Sequence, residues 1–217
     1  MTSLDAHQEY DEAGVPDGAL DADPIVQFAA WLRDAEEAGL PDPNAMVVGT
    51  VEPDGRPSSR TVLLKGLDGP DGGDAAFAFF TNRDSHKGTA LAHEPRVSLL
   101  FPWYALHRQV RVEGIAELAP EAESDAYWAT RPRGSQLGAW ASAQSEPIAS
   151  RADLDARQAQ VDARFDGIET VPRPPHWGGY LVTPASIEFW QGRRARLHDR
   201  LFYTREGDGW TVTRLQP

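Results

Sequence analysis

Four short segments gather cations and hydroxyls where plain strands and helices have no need of them. In Arg60-Thr-Val-Leu-Leu-Lys65 two cations bracket an apolar run. Strand alternation puts positions 60, 62 and 64 on one face and Lys65 on the other; a solvated edge strand would carry the same ends. Phe80-Thr-Asn-Arg-Asp-Ser-His-Lys87 joins the end of a strand-like run to the start of a helical one. Thr81, Ser85 and Lys87 there surround a turn with free backbone N–H groups, which suits a phosphate, although Asp84 or Ser85 as a helix cap explains the same residues. Arg131-Pro-Arg-Gly-Ser-Gln136 follows a helical stretch bearing Tyr127. Forked guanidinium donors with Tyr and Ser hydroxyls suit a phosphate ester; a loop of solvated arginines is the plainer alternative. Last, in Arg196-Leu-His-Asp-Arg200, alternation places Arg196, His198 and Arg200 on one face of a strand. Cations stacked this way repel unless an anion lies near or Asp199 and Glu188 relieve them.

The rest of the composition narrows the chemistry. The 217 residues carry a formal net charge of −12, which argues against nucleic-acid binding. Lys65 and Lys87 are the two lysines; all other fixed cations are arginines. A preference for Arg explains why lysines are rare, but not why both fall inside these segments. There is no cysteine, and the six histidines lack metal-ligand spacing, so no metal site is expected. No GxSxG, GxGxxG or GxxxxGK[ST] pattern occurs. No run approaches a membrane span, and residues 1–24 hold neither a Lys or Arg nor an apolar stretch, so no membrane association and a cytoplasmic location are expected.

These segments need elements to hold them. Residues 1–23 are acidic and rich in Gly, Ala and Asp, and read as a mobile arm; 24–217 read as one folded domain. Asp23-Pro24 opens a helix carrying Ile25, Phe28, Trp31, Leu32 and Ala35 at helical spacing, ended by Gly39 and Pro41. Strands are expected over 45–51, 59–67, 75–81, 96–103, 108–118, 180–182, 187–191, 201–205 and 210–214. Pro53-Asp54-Gly55 turns the first hairpin, and Gly69-Pro-Asp-Gly-Gly-Asp74 forms a loop. Helices are expected over 85–93, 120–130 and 150–165. Many short strands with few helices, and no strand–helix alternation, predict a mainly β fold with peripheral helices, an antiparallel barrel.

Taken together and in order, the segments resemble the pyridoxamine 5′-phosphate oxidase family. The resemblance runs from about Asp42 to Pro217. It is carried by the four segments above together with Asn44-Ala-Met46, Arg96-Val-Ser-Leu-Leu-Phe-Pro-Trp103, Arg108-Gln-Val110, Gly138-Ala-Trp140, Gln144-Ser145, Trp177-Gly-Gly179, Phe189-Trp-Gln-Gly192 and Arg214-Leu-Gln-Pro217. It implies an FMN-binding split β-barrel and a homodimer with FMN at the interface. It further implies that Arg60, Ser85 and Lys87, with Lys65, Phe80, Thr81 and His86, lie on the FMN side. Gln109, Gln144, Ser145, Trp190 and Arg200 would contact the flavin, some from the second subunit. Lys65, Tyr127, Arg131 and Ser135 would bind the substrate phosphate, with Arg196 and His198 over the substrate ring as the catalytic pair. Asp42 matches an acidic position near the site.

The reaction implied is oxidation of pyridoxamine 5′-phosphate or pyridoxine 5′-phosphate at C4′ to pyridoxal 5′-phosphate, with oxygen as acceptor and peroxide as product. Three departures stand out: His86 in place of the usual basic residue before Lys87, Phe80 where Tyr is common, and an arm with His7-Gln-Glu-Tyr10 and Gly18-Ala-Leu-Asp21 in place of an arginine-rich stretch. Two alternatives share the fold: a related flavin oxidase of phenazine biosynthesis, which needs no substrate phosphate site, and a carrier of flavin or pyridoxal phosphate without turnover.

Overall fold

The computed structural model describes residues 10, 14–69 and 75–217. Most of the arm's first thirteen residues, including His7-Gln-Glu9, and most of the 69–74 loop lie outside them.

The chain opens with helix α1 (Pro24–Glu37), capped as its sequence predicts: the Asp23 carboxylate accepts from Ile25 N–H at 2.8 Å and Pro24 occupies the first turn. Its apolar stripe plugs the sheet. Phe28 is fully buried, with its ring 5.0 Å from Phe77 and 4.7 Å from Phe101, and Trp31 packs edge-on to Phe189. Truncating such a ring costs about 3–5 kcal/mol. The strands are β1 (Ala45–Val51), β2 (Pro57–Leu63), β3 (Phe77–Asn82), β4 (Arg96–Trp103), β5 (Arg108–Leu118), β6 (Trp177–Gln191), β7 (Asp199–Glu206) and β8 (Gly209–Leu215). They form one antiparallel sheet in the order β2-β1-β4-β5-β6-β7-β8. Between β3 and β4 lies α2 (His86–His93); between β5 and β6 lie α3 (Glu121–Thr130), α4 (Arg133–Ala141) and α5 (Arg151–Arg164).

β6 makes this sheet a split barrel. One of its edges pairs with β5 along its length; the other pairs first with β3 (residues 177–182) and then with β7 (residues 186–191). Two separate strands were expected here because Pro184 interrupts the pattern. The structure has one 15-residue strand, and Pro184 sits at a register shift opposite Gly114, where the N–H that proline lacks is not needed. A Cβ on Gly114 would lie 2.2 Å from the Thr183 carbonyl, so the shift needs glycine.

Two further expectations are corrected. Residues 64–67 leave β2: Lys65 N–H and the Gly66 carbonyl instead bond to Ala78, which carries Lys65 across to β3. Residues 133–141, where no helix was expected, are α4, with Pro132 at its N-cap. Residues 14–23 make hydrogen bonds to the sheet. Val15 N–H donates to Asp199, Arg214 to Asp17, and the Tyr203 hydroxyl to the Asp21 carbonyl.

Candidate functional site

The fold brings three of the four segments to one cleft of about 770 Å³. Its wall holds Arg60 from β2, Lys65 beyond it, Phe80 and Thr81 from β3, His86 and Lys87 from α2, Tyr127 and Arg131 at the end of α3, Ser135 in the first turn of α4, then Gln144, Ser145 and Trp177. Among the described residues, no Asp or Glu lines it.

Lys87 is 8% exposed. Its ammonium donates to Thr81 Oγ1 at 2.9 Å, Gln144 Oε1 at 2.9 Å and Ser85 Oγ at 3.2 Å, all neutral acceptors. Burial, and then the Arg60 charge, push its pKa down to about 8. Ser85 is the N-cap of α2, as the sequence suggested, but it also serves the lysine. Arg60 donates to Thr50 Oγ1 and Ser58 Oγ, with Glu52 at 3.8 Å, and burial lowers its pKa too. Two desolvated cations side by side, with one distant carboxylate, make a pocket that an anion relieves.

At the other side of the cleft, Phe80, Tyr127 and Trp177 lie nearly parallel, the Phe80 and Tyr127 rings 4.1 Å apart. Lys65 Nζ sits 5.9 Å from the Tyr127 centroid, and the Arg131 guanidinium 4.6 Å from that of Trp177. Among the described residues Arg131 Nη1 is buried without a partner, and burial lowers the Arg131 pKa. Phe80 is accommodated by Gly179, where a Cβ would come within 2.7 Å of the ring. An orphaned guanidinium donor beside an ammonium and two hydroxyl-bearing residues fits a second phosphate. The donors thus fit a phosphate-bearing cofactor on the Lys87 side and a phosphorylated substrate on the Arg131 side.

The remaining candidates form a second cluster. Gln109, Trp190 and Arg200 lie side by side across β5, β6 and β7. The His198 ring is 4.5 Å from Trp190. Its Nδ1 accepts from Arg193 N–H at 3.1 Å, which leaves the proton of the neutral ring on Nε2, and burial and the Arg196 charge lower its pKa. The expected strand face of Arg196, His198 and Arg200 does not exist. Residues 194–196 form a 3₁₀ turn with Ala195 at φ 53 and Arg196 at φ 61, and β7 begins only at Asp199. Repulsion along a straight strand is avoided by turning the chain. Arg200 meets the nearly buried Glu188 through Nε at 2.6 Å and Nη2 at 3.1 Å, the relief considered above, and Arg111 binds the same carboxylate.

Sequence reasoning gave no site role to two participants, Tyr10 and Trp177. Tyr10 packs against His107, Trp190 and His198, and its lone aromatic ring in an acidic arm was the available signal. Trp177 walls the cleft, and Glu188 orients Arg200. Asp42 stands in an exposed turn at φ 46. A second hollow, of about 750 Å³, opens between β1, β4 and β5; its one cation, Arg96, is already paired with Glu94.

Residues 32–165 match the family model described as pyridoxamine 5′-phosphate oxidase, and residues 177–217 the model described as the pyridoxine 5′-phosphate oxidase C-terminal dimerisation region. The pyridoxine/pyridoxamine 5′-phosphate oxidase of Rubrobacter xylanophilus is 58% identical over 97% of this chain and 94% of its own. That of Burkholderia mallei is 52% identical over the full length of both. Among solved structures, PhzG from Burkholderia lata, in complex with tetrahydrophenazine-1-carboxylic acid, superposes with a TM-score of 0.83 at 34% identity, covering 91% of this chain and 94% of that one. An FMN-binding protein from Nostoc punctiforme shares the fold at a TM-score of 0.72 and 16% identity, covering 91% and 100%. With a split barrel, a cationic cleft and matches along nearly its whole length, the chain belongs to the pyridoxamine 5′-phosphate oxidase family of enzymes.

Proposed function

We propose that the chain oxidises pyridoxamine 5′-phosphate and pyridoxine 5′-phosphate to pyridoxal 5′-phosphate, with FMN as cofactor and oxygen as the acceptor, giving hydrogen peroxide. The observation that carries this reading is the gathering of Arg60, Lys65, Lys87 and Arg131 in one cleft with no carboxylate among the described residues that line it, in a chain of net charge −12. Arg60, Ser85 and Lys87, with Thr81, Gln144 and Ser145, would hold the FMN phosphate side. Lys65, Tyr127, Arg131 and Ser135 would hold the phosphate of the substrate. When bound, FMN supplies the two-electron acceptor.

The chain's own groups do the rest. Four donors on the substrate phosphate fix the ring's distance from the cofactor and favour the phosphorylated vitamers. Arg196 orients the ring and favours charge developing on it. His198, with Nδ1 already occupied, presents Nε2–H as a donor at neutral pH. Tyr10 roofs His198 and Trp190 and excludes water there.

The cleft and the Trp190 cluster lie toward opposite ends of β6, whose 15 residues span roughly 45–50 Å of extended chain. One chain does not bring both to one small molecule. Two copies about a twofold axis do, each cleft facing the other copy's Trp190 cluster. Mixing Lys87→Met and Arg196→Ala subunits, each inactive alone, should therefore restore about a quarter of the activity through hybrid dimers with one intact site. No recovery would refute the shared site.

The likeness to PhzG supports a phenazine-type oxidase as a second reading, but such an enzyme has no use for Lys65, Tyr127, Arg131 and Ser135 together. Anaerobic mixing of the yellow protein with pyridoxamine 5′-phosphate, followed by flavin absorbance, separates the two. Rapid bleaching is expected; bleaching by tetrahydrophenazine-1-carboxylic acid alone would overturn the assignment.

A further inference from the structure

The substrate side of the cleft is assembled from α3, the β3–α2 turn and the start of β6, which are far apart in sequence. Arg173, just before β6, joins them. Its Nε donates to Asp125 Oδ1 at 2.6 Å, its Nη1 to the Trp177 carbonyl at 2.6 Å and its Nη2 to Glu121. The side chain is only 12% exposed. The other Glu121 oxygen accepts from Arg83 Nη1 at 2.7 Å, and Arg83 belongs to the β3–α2 turn between Thr81 and Ser85. Arg83 lies against Gly178, where a Cβ would fall 2.2 Å from Nη2, and its Nε and Nη2 are buried without partners. Among the described residues, Glu121 is thus what holds this guanidinium in place. Glu121 and Asp125 stand one turn apart on α3, ahead of Tyr127 on that helix and Arg131 at its C-cap.

We propose that Arg83, Glu121, Asp125 and Arg173 are positioning residues: a brace that sets Tyr127 and Arg131 against Trp177 and against the β3–α2 turn. None of the four lines the cleft. Arg131 needs such a brace because its Nη1 has no partner among the described residues and its guanidinium rests on Trp177, so its aim follows wherever Trp177 and α3 are placed. Arg173 grips both with one rigid fork. Exposed ion pairs taken singly contribute little, but here one largely buried guanidinium makes three bonds at once. Misplacing a binding group by ~1 Å costs on the order of 100-fold where geometry is exacting.

The inference rests on the phosphate-ester reading of the cleft. Its test uses the FMN-loaded dimer carrying Arg173→Lys, whose ammonium lacks the fork, and separately Glu121→Gln, a change at an exposed carboxylate that leaves folding intact. Two quantities are read: the dissociation constant for pyridoxal 5′-phosphate by equilibrium dialysis, and KM against kcat for pyridoxamine 5′-phosphate. Each variant should weaken binding and raise KM about 10-fold with kcat little changed, and should add almost nothing on top of Arg131→Ala, since coupled residues are non-additive. Wild-type binding in Glu121→Gln, or losses that add fully to Arg131→Ala, would overturn the brace alone. Wild-type protein that binds pyridoxal as tightly as pyridoxal 5′-phosphate would overturn the phosphate-ester reading and the brace with it.

Discussion

Lys87 offers a test of the cofactor side that needs no turnover. In the empty cradle, burial and the Arg60 charge hold its pKa at about 8. A phosphate dianion seated against it favours the charged form and raises that pKa. Above pH 8, binding therefore takes up a proton, and affinity falls as pH rises; below pH 8 the lysine is already charged and affinity levels off. At pH 9.5 about 3% of empty cradles carry the ammonium, so the dissociation constant should rise about 30-fold over its neutral value, or ~2 kcal/mol. The folding balance of the empty protein runs the other way. A lysine whose pKa is depressed by folding binds fewer protons than the unfolded chain between about pH 8 and 10.5, so its contribution to stability improves over that window. The assay is quenching of FMN fluorescence by apoprotein across pH 6.5–9.5. Lys87→Arg, permanently charged, should flatten the curve, and Lys87→Met should weaken binding roughly 10–100-fold at neutral pH. A wild-type affinity unchanged from pH 7 to 9.5, or a slope retained in Lys87→Arg, would remove Lys87 from the phosphate.

Arg131→Ala should raise KM for pyridoxamine 5′-phosphate roughly 10–100-fold while FMN content holds, because its free Nη1 lies on the substrate side; an unchanged KM moves the substrate phosphate elsewhere. Arg196→Ala should slow flavin reduction on the order of 100-fold at saturating substrate in stopped flow, with FMN content near wild type; an unchanged rate excludes Arg196 from orienting the ring. His86→Arg, at an exposed position in the cleft wall, should tighten FMN about 3–10-fold by adding a fixed charge and a fork; equal or weaker affinity in the fluorescence titration would show that His86 does not face the phosphate.

Residue type and periodicity expose what local physics decides. The Asp23-Pro24 start, the Phe28–Trp31 stripe, the hairpin at Gly55 and the Ser85 cap all follow from the chain's immediate neighbourhood, and the structure has each of them. Lys65 and Lys87 were marked as anion groups from their rarity and context, and both line the cleft. What stayed hidden depends on distant partners. Pro184 reads as a break until Gly114 is seen opposite it, making room for a shift within one long strand. The alternation of Arg196, His198 and Arg200 was real in sequence but not in space, because two residues in the left-handed region intervene.

That backbone is informative in its own right. Among the described residues, the non-glycine positions with positive φ are Asp42, His107, Ser145, Ala195 and Arg196. Left-handed backbone costs roughly 1–2 kcal/mol for such residues, and a fold keeps it where the surroundings over-determine it. His107 precedes Gln109 and meets Tyr10, Ser145 follows Gln144 in the cleft wall, and Arg196 precedes His198. Each strained residue turns the chain just where a candidate site side chain must face the ligand instead of continuing a strand or helix. No periodicity argument finds such positions, since the sequence at them is ordinary; the cost becomes visible only once φ is known. If the strain serves presentation and not folding, Ala195→Gly should relieve it and raise the melting temperature while lowering kcat, because a freer 194–196 turn holds Arg196 less firmly. Thermal unfolding and steady-state kinetics on one preparation decide it, and a variant that gains stability at full kcat would show that this strain does nothing for the site.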